Sequence, residues 1–164
     1  MTAQQTKQPD MYQPGDNGKA TAVLVLMPDP TNTYLGIPLV KDEKHPSPKW
    51  KLPGGRGEGE ESPSKTGVRE LLEETGVSVI QSQLFPLTEP EDRHTNTFFL
   101  YWTVLPQYQP LKDRGTVDKE LVGFFSVEEV MEMVEREEFL RSHGKFLYPL
   151  FKYLRSQHPQ FVTA

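Results

Sequence analysis

Residues 54–77, GGRGEGEESPSKTGVRELLEETGV, decide how the centre of this chain folds. Ser62 followed by Pro63 is typical of a helix N-cap and the first helical position. Gly76 is typical of the residue that ends a helix. At about 100° per residue, four apolar or small side chains of this helix share one side, which we expect to face the core: Val68, Leu71, Leu72 and Thr75.

The opposite side of the predicted helix carries an acidic arc of Glu70, Glu73 and Glu74. Glu70 and Glu74 are like charges at i,i+4, which destabilises a helix, and acids in its last turn oppose the helix dipole. Arg69 neighbours Glu73 at i,i+4, but one cation does not balance three acids. Carboxylate oxygens on one helix face suit Mg²⁺ or Mn²⁺. The competing interpretation is a solvated acidic surface, which is the commoner reason for such a face.

The rest of the chain alternates strand and helix patterns. Short apolar runs rich in β-branched or aromatic residues predict strands at residues 20–27, 34–40, 77–85, 97–105 and 121–125. Ser126 and Glu129 match a capping box that starts a second helix, and a last helix is expected over 142–155, with Pro149 inside it or at its start. Strands on both sides of a central helix predict an α/β fold, a sandwich around a mixed sheet.

Length and composition limit the possible functions. The 164 residues suffice for one domain, expected at 18–157 between an N-terminal tail, 1–17, that we expect to be disordered and a C-terminal tail, 158–164. The chain has no cysteine, which excludes disulfides and thiolate sites, and its net charge of −5 provides no field for nucleic acid polymers. No apolar run approaches the ~18 residues of a membrane span. We therefore expect a cytoplasmic protein.

Residues 55–77 also fit the pattern GX5EX7REUXEEXGU at every specified position, where U is a bulky aliphatic residue. This pattern is the Nudix box, and the chain resembles the Nudix hydrolase family over about residues 18–155. The resemblance implies an α/β/α sandwich that hydrolyses a nucleoside diphosphate linked to another group, X. It implies Mg²⁺, or Mn²⁺ in its place, and a small nucleotide-like diphosphate substrate. A homodimer is left open.

The resemblance also implies roles for individual residues. Glu70 and Glu74 would be the principal metal ligands, with Glu73 a ligand or an acid behind them. The backbone carbonyl of Gly54 would complete the metal shell. Glu61 and Arg69 resemble the pair that orients the catalytic acids, as metal ligands need fixed orientations.

The reaction implied by the resemblance is attack of a metal-activated water on phosphorus. A glutamate accepts the proton, and Glu70 is the first candidate. Glu120, and after it Asp118, is the alternative from a later loop. The competing interpretation of Glu120 is an exposed loop acid.

Three cations flank the box and are candidate ligands of the substrate phosphates: Lys49, Lys51 and Arg56. The planar fork of Arg56 suits phosphate best. The competing interpretation is ordinary surface charge. Trp50 is a candidate to stack on a base, but packing is the favoured interpretation. One departure from the family is Glu60, which stands where glycine is usual, with the glycine displaced to Gly59.

The range of possible substrates is reduced only by excluding subfamilies whose characteristic residues are absent. The proline of ADP-ribose pyrophosphatases would fall near Arg93, and the tyrosine of diadenosine polyphosphate hydrolases near His94 or Thr95, and neither is present. Nucleoside triphosphates are therefore favoured. The alternative function is a Nudix-fold module that senses a nucleotide without cleaving it, and the complete acid set argues against that alternative.

Overall fold

The computed structural model describes residues 15–112 and 120–157. In this part of the chain the strands are β1 Asp16–Pro28, β2 Leu35–Asp42, β3 Trp50–Lys51, β4 Gly54–Glu58, β5 Phe85–Pro86, β6 Glu91–Asp92, β7 Thr97–Val104 and β8 Glu120–Ser126. The helices are α1 Pro63–Thr75, α2 Val127–Glu135 and α3 Arg141–Gln157. Residues 1–14 and the expected tail 158–164 lie outside the described residues. Asp16 and Asn17, which we assigned to the N-terminal tail, belong to β1.

The sheet is mixed, as the sequence predicts. Its main path is β3-β2-β1-β7-β5, in which β1 runs parallel to β7 and antiparallel to β2. Two short strands and β8 join beside this path, since β4 pairs with β1, β6 with β7 and β8 with β2. The long strand β1 therefore lies at the centre of the sheet and pairs with β2, β4 and β7.

Two apolar cores lie on opposite faces of β1. Leu24 and Leu26 belong to the core that α2 and α3 cover, and Val23 and Val25 belong to the core that α1 covers. This alternation is the period of two that a strand buried on both faces requires. The result is an α/β/α sandwich, which confirms the expected fold class. None of the helices in the described residues is long and apolar enough to cross a bilayer.

Helix α1 has the caps that the sequence predicts. Ser62 accepts the N–H of Lys65 at 3.3 Å, and Gly76 ends the helix with φ 84°. Its predicted core face is wrong at Leu72, which is 51% exposed, whereas Thr66 and Gly67 are buried. The helix meets β1 through Gly67, where an added Cβ would lie 3.0 Å from a methyl group of Val23. This close approach centres the buried face between residues 67 and 71, so that Leu72 lies beyond its edge.

The strand predicted at 77–85 is wrong. Within this segment, Phe85 pairs with β7, and Gln81–Gln83 form a short 3₁₀ turn. The N–H of Ser78 instead binds the side-chain oxygen of Gln109 at 2.8 Å. The apolar run still buries Val77 and Val79. Side-chain hydrogen bonds therefore replace a strand ladder here.

The turn between β1 and β2 is organised by the buried carboxylate of Asp29. It accepts the N–H groups of Thr31, Thr33 and Tyr34 and the hydroxyl of Thr31, at 2.5–3.1 Å. Burial opposes ionisation of Asp29, but these hydrogen bonds together hold its pKa well below its usual range. The ionised side chain therefore stabilises the hairpin.

We predict that Asp29→Ala lowers the Tm at pH 7, because the turn loses these four hydrogen bonds. A carboxylate with a depressed folded-state pKa stabilises the fold above its unfolded pKa of about 4, and this contribution is lost as the pH falls towards the folded value. The difference in Tm from wild type should therefore narrow below about pH 4. Thermal unfolding between pH 2.5 and 8 measures it, with the exposed Glu89→Ala as control. A Tm difference that is absent at pH 7, or widens in acid, would contradict this account.

Candidate active site

An acidic cleft of about 380 Å³ lies between the C-terminal half of α1 and the ends of β2 and β8. Its walls carry acidic side chains and two lysines: Asp42, Lys44, Glu70, Glu73, Glu74, Lys112 and Glu120. The acidic arc on α1 and the later Glu120 are far apart in sequence, and the sheet brings them to one cleft. The electrostatic coupling of Glu120 to Glu74 agrees with this proximity.

Arg69 ties the acids of the box together. Its Nε and Nη2 donate to the two oxygens of Glu61 at 2.7 and 3.0 Å. Its Nη1 donates to Glu70 at 2.9 Å and to Glu73 at 3.0 Å. Nη2 also donates to the carbonyl of Arg56 in β4 at 3.0 Å. Arg69 therefore contacts more acids than the i,i+4 spacing to Glu73 indicates, and it links the helix to the preceding loop.

Glu61 fixes that loop. Besides Arg69, it accepts the N–H of Glu58 at 3.0 Å and the hydroxyl of Thr66 at 2.9 Å. The hydrogen bonds from Arg69, above all, lower the pKa of Glu61 to about 2. Its side chain is 13% exposed, so this ionised carboxylate is held in place at neutral pH.

The displaced glycine of the box takes a turn conformation. Gly59 has φ 55°, in the left-handed region that favours glycine, and its N–H donates to the carbonyl of Gly15 at 2.7 Å. Glu60 is exposed beside it and is not among the residues that line the acidic cleft. The departure from the usual glycine position therefore adds no acid to the cleft.

The glycine pair at the start of β4 allows two close approaches. The N–H of Gly54 donates to Glu74 Oε1 at 2.7 Å, and a Cβ on Gly54 would overlap the backbone of Thr21. A Cβ on Gly55 would lie 2.6 Å from the carboxylate carbon of Glu70. Both principal carboxylates thus lie against glycine backbone. The carbonyl of Gly54 as a metal ligand stays a prediction.

The protein around Glu70 and Glu74 disfavours the ionised form of both carboxylates. Burial, and then the nearby charge of Glu120, raises the pKa of Glu74 to about 8. Burial also raises the pKa of Glu70, although Arg69 opposes that shift. Partly buried carboxylate oxygens that converge on a cleft fit a hard divalent cation. Among the described residues, however, no three Asp, Glu or His side chains already stand together as a metal site.

The sequence interpretation missed three residues of the cleft: Asp42, Lys44 and Lys112. Asp42 pairs with Glu120 across the antiparallel β2–β8 ladder, which brings the end of one strand to the start of the other. The Nζ of Lys112 donates to the carbonyl of Glu73. Only the strand pairing reveals Asp42, because β2 and β8 are distant in sequence. Asp118, the second loop candidate, lies outside the described residues.

The candidate phosphate ligands occupy different places. Lys51 is close enough to Glu74 to oppose the rise of its pKa, and both Lys51 and Lys49 line a neighbouring depression. Arg56 does not line the acidic cleft, because its guanidinium binds Asp16 at 3.3 Å and the Thr95 hydroxyl at 3.2 Å.

Trp50 takes the packing position expected from the sequence. Its ring meets Phe125 edge-on, with 4.7 Å between the ring centroids, and the ammonium of Lys41 lies 5.0 Å from its ring. The ring is only partly exposed and helps to cover the core beneath α2 and α3.

Comparison with known proteins places these features in one family. The family model of the NUDIX domain matches residues 18–148. Diphosphoinositol polyphosphate phosphohydrolase 3-alpha of Mus musculus is 27% identical over 125 residues, which is 76% of this chain and 73% of that protein. The 3-beta protein of Bos taurus is 28% identical over 140 residues, 85% of this chain and 81% of that protein.

Solved structures show the same fold. A mutT/nudix family protein from Listeria innocua has a TM-score of 0.61 and 21% identity, covering 88% of this chain and 97% of its own. An Ap4A hydrolase from C. elegans also has a TM-score of 0.61, with 13% identity, covering 84% of this chain and 98% of its own.

We predict that Arg69→Ala lowers the free energy of unfolding by about 2–4 kcal/mol, because it leaves partly buried Glu61 and Glu70 without their cation. Arg69→Lys should restore only part of this, since an ammonium cannot reproduce the planar fork. Urea unfolding at pH 7 in EDTA measures both variants. The control is Arg136→Ala, which breaks an exposed pair with Glu132 and should cost below about 0.5 kcal/mol. If Arg69→Ala and the control lowered the free energy of unfolding equally, Arg69 would not be the residue that links Glu61 to Glu70.

Proposed function

The chain belongs to the NUDIX domain family, and we propose that it is a metal-dependent pyrophosphohydrolase that cleaves the diphosphate linkage of a small nucleotide-like substrate. The observation that supports this most is the acidic cleft, where Glu70, Glu74 and Glu120 meet. A catalytic domain that extends from Asp16 in β1 to residue 157, and a cytoplasmic location, are parts of the same proposal.

Glu70 and Glu74 are the proposed metal ligands. Each lies against a glycine of β4, and burial disfavours the ionised form of each, so a bound cation would stabilise both carboxylates in their charged form. Glu73 and Glu120 line the same cleft and are the further acids within it. When bound there, Mg²⁺ would lower the pKa of a coordinated water and neutralise phosphate charge.

Side chains and amides of the protein hold the acidic ligands in place, and its lysines are available to neutralise phosphate charge. Arg69 fixes the carboxylate of Glu70, and the N–H of Gly54 fixes that of Glu74. Lys44 and Lys112 line the cleft and are proposed to bind phosphate oxygens. Such fixed charges stabilise a developing negative charge without reorganising during the reaction.

A carboxylate must also accept the proton of the attacking water. Glu70 remains the first candidate for this general base, because its carboxylate lines the cleft in an orientation fixed by Arg69. Glu120 is the alternative, because it shares the cleft with Glu74. Replacing each by glutamine and recording the pH profile of kcat distinguishes the two.

The proposed substrate class is a nucleoside diphosphate linked to a group X. Within this class, nucleoside triphosphates are favoured by elimination from the sequence. A second candidate is a diphosphate on a phosphorylated polyol. It is supported by the relatives named diphosphoinositol polyphosphate phosphohydrolases, at 27–28% identity.

We predict that Glu74→Gln lowers kcat by several orders of magnitude while the protein stays folded. Glutamine keeps an oxygen for the N–H of Gly54 but loses the charge proposed to hold the metal. Turnover of a panel of nucleotides and diphosphates in Mg²⁺, with circular dichroism of each variant, checks this. The matched control is Glu132→Gln on the exposed side of α2.

Near-normal turnover by Glu74→Gln would remove Glu74 from the ligand set. Failure of the wild type to turn over any member of the panel, together with tight binding of one, would favour the sensing module instead.

A further inference from the structure

A cationic groove adjoins the acidic cleft. It consists of two depressions of about 460 and 220 Å³, which share His45, Ser47, Lys49 and Leu140. The smaller depression is also lined by Asp42, which lines the acidic cleft as well. The cleft and the groove therefore form one continuous surface, bounded by residues 42–51 and the start of α3.

The groove concentrates positive charge on an otherwise acidic protein. Four cations line it: Lys49, Lys51, Arg141 and Lys145. The acids that line it are Asp42 and Glu137, and Glu91 beside the groove pairs with Lys145 at 2.7 Å. Glu137 pairs with Arg141 at 3.3 Å, but their side chains are 75% and 88% exposed, so water screens that pair. The net charge of the whole chain is −5, so the charge of the groove is opposite in sign to that of the chain.

The floor of the groove is apolar. Val134, Phe139 and Leu140 line the larger depression beneath its cations. The helix α3 begins at Arg141, so its positive end points to the same place and favours an anion. Apolar side chains beside several cations suit a ligand that carries phosphate groups on a carbon framework.

We propose that the cationic groove binds phosphate groups on X, the part of the substrate that is not attacked. The groove therefore favours a diphosphate whose X is itself phosphorylated over the nucleoside triphosphates that elimination from the sequence favours. This rests on the proposed function, which places the attacked diphosphate in the acidic cleft. The shared ligand chemistry is a cluster of phosphates, and its source is either a phosphorylated polyol or the chain of a dinucleoside polyphosphate.

The first experiment measures binding alone. The probe is inositol hexakisphosphate, which carries phosphate monoesters and no diphosphate, titrated by calorimetry in metal-free buffer. The double variant Arg141→Gln/Lys145→Gln should bind it about tenfold more weakly, since each lost cation removes a charge-assisted contact. The control double variant, Lys65→Gln/Lys152→Gln, loses the same charge outside the groove and should bind as wild type does.

Folding is checked separately, because Lys145 also pairs with Glu91 at 2.7 Å. The Tm of each variant shows whether the fold is retained. The variant Arg141→Lys/Lys145→Arg keeps both charges and should restore binding. Restored binding separates loss of charge from loss of local structure.

The second experiment measures kcat/KM in Mg²⁺ for three substrates: a diphosphoinositol polyphosphate, a dinucleoside tetraphosphate and a nucleotide sugar with uncharged X. The groove variant should lower kcat/KM about tenfold more for a phosphorylated X than for the nucleotide sugar, mainly through KM. The substrate with the larger loss identifies the source of the phosphates.

The outcomes separate this inference from the proposed function. Equal losses for the groove variant and its control, or no loss of binding in either, would overturn the groove as a site even if Glu74→Gln abolishes turnover. Weaker binding by the groove variant alone, with a wild type that hydrolyses nothing, would support the groove and defeat the proposed function.

Discussion

The fork of Arg69 is the interaction on which the site depends. It joins Glu61 in the loop to Glu70 and Glu73 on α1, and it also binds the carbonyl of Arg56 in β4. A helix face with several adjacent glutamates repels itself, so the acids hold their places only where cations and amides oppose that repulsion. Glu74 accepts the N–H of Gly54 but contacts no such fork, so its carboxylate is the one that we propose a metal cation keeps ionised.

This constraint bears on how an acidic protein could act on the proposed anionic substrate. The acidic cleft alone would repel phosphate, so the proposed cleavage of a diphosphate there requires a divalent cation. The cationic groove needs none, and it meets the cleft at Asp42. The metal would therefore bind the attacked diphosphate, and the groove would bind the phosphates of X.

Features set by local sequence were predictable, and those set by long-range packing were not. The caps Ser62 and Gly76 act within a few residues, so the bounds of α1 follow from the sequence. Leu72 is exposed because α1 meets β1 through Gly67, and that contact joins residues distant in sequence. Asp42 enters the cleft only through the pairing of β2 with β8. The orientation of Arg56 towards Asp16 likewise depends on a tertiary contact.

The binding of metal by the acids of α1 is the central claim, and thermal unfolding in Mg²⁺ and in EDTA tests it most directly. Ionic strength must be matched, because salt alone screens the repulsion. At ten times its Kd, Mg²⁺ would stabilise the native wild type by about 1.4 kcal/mol, which raises the Tm of a domain of this size by a few degrees. The double variant Glu70→Gln/Glu74→Gln should gain little from Mg²⁺. Equal gains for wild type and double variant would show that the metal is bound elsewhere.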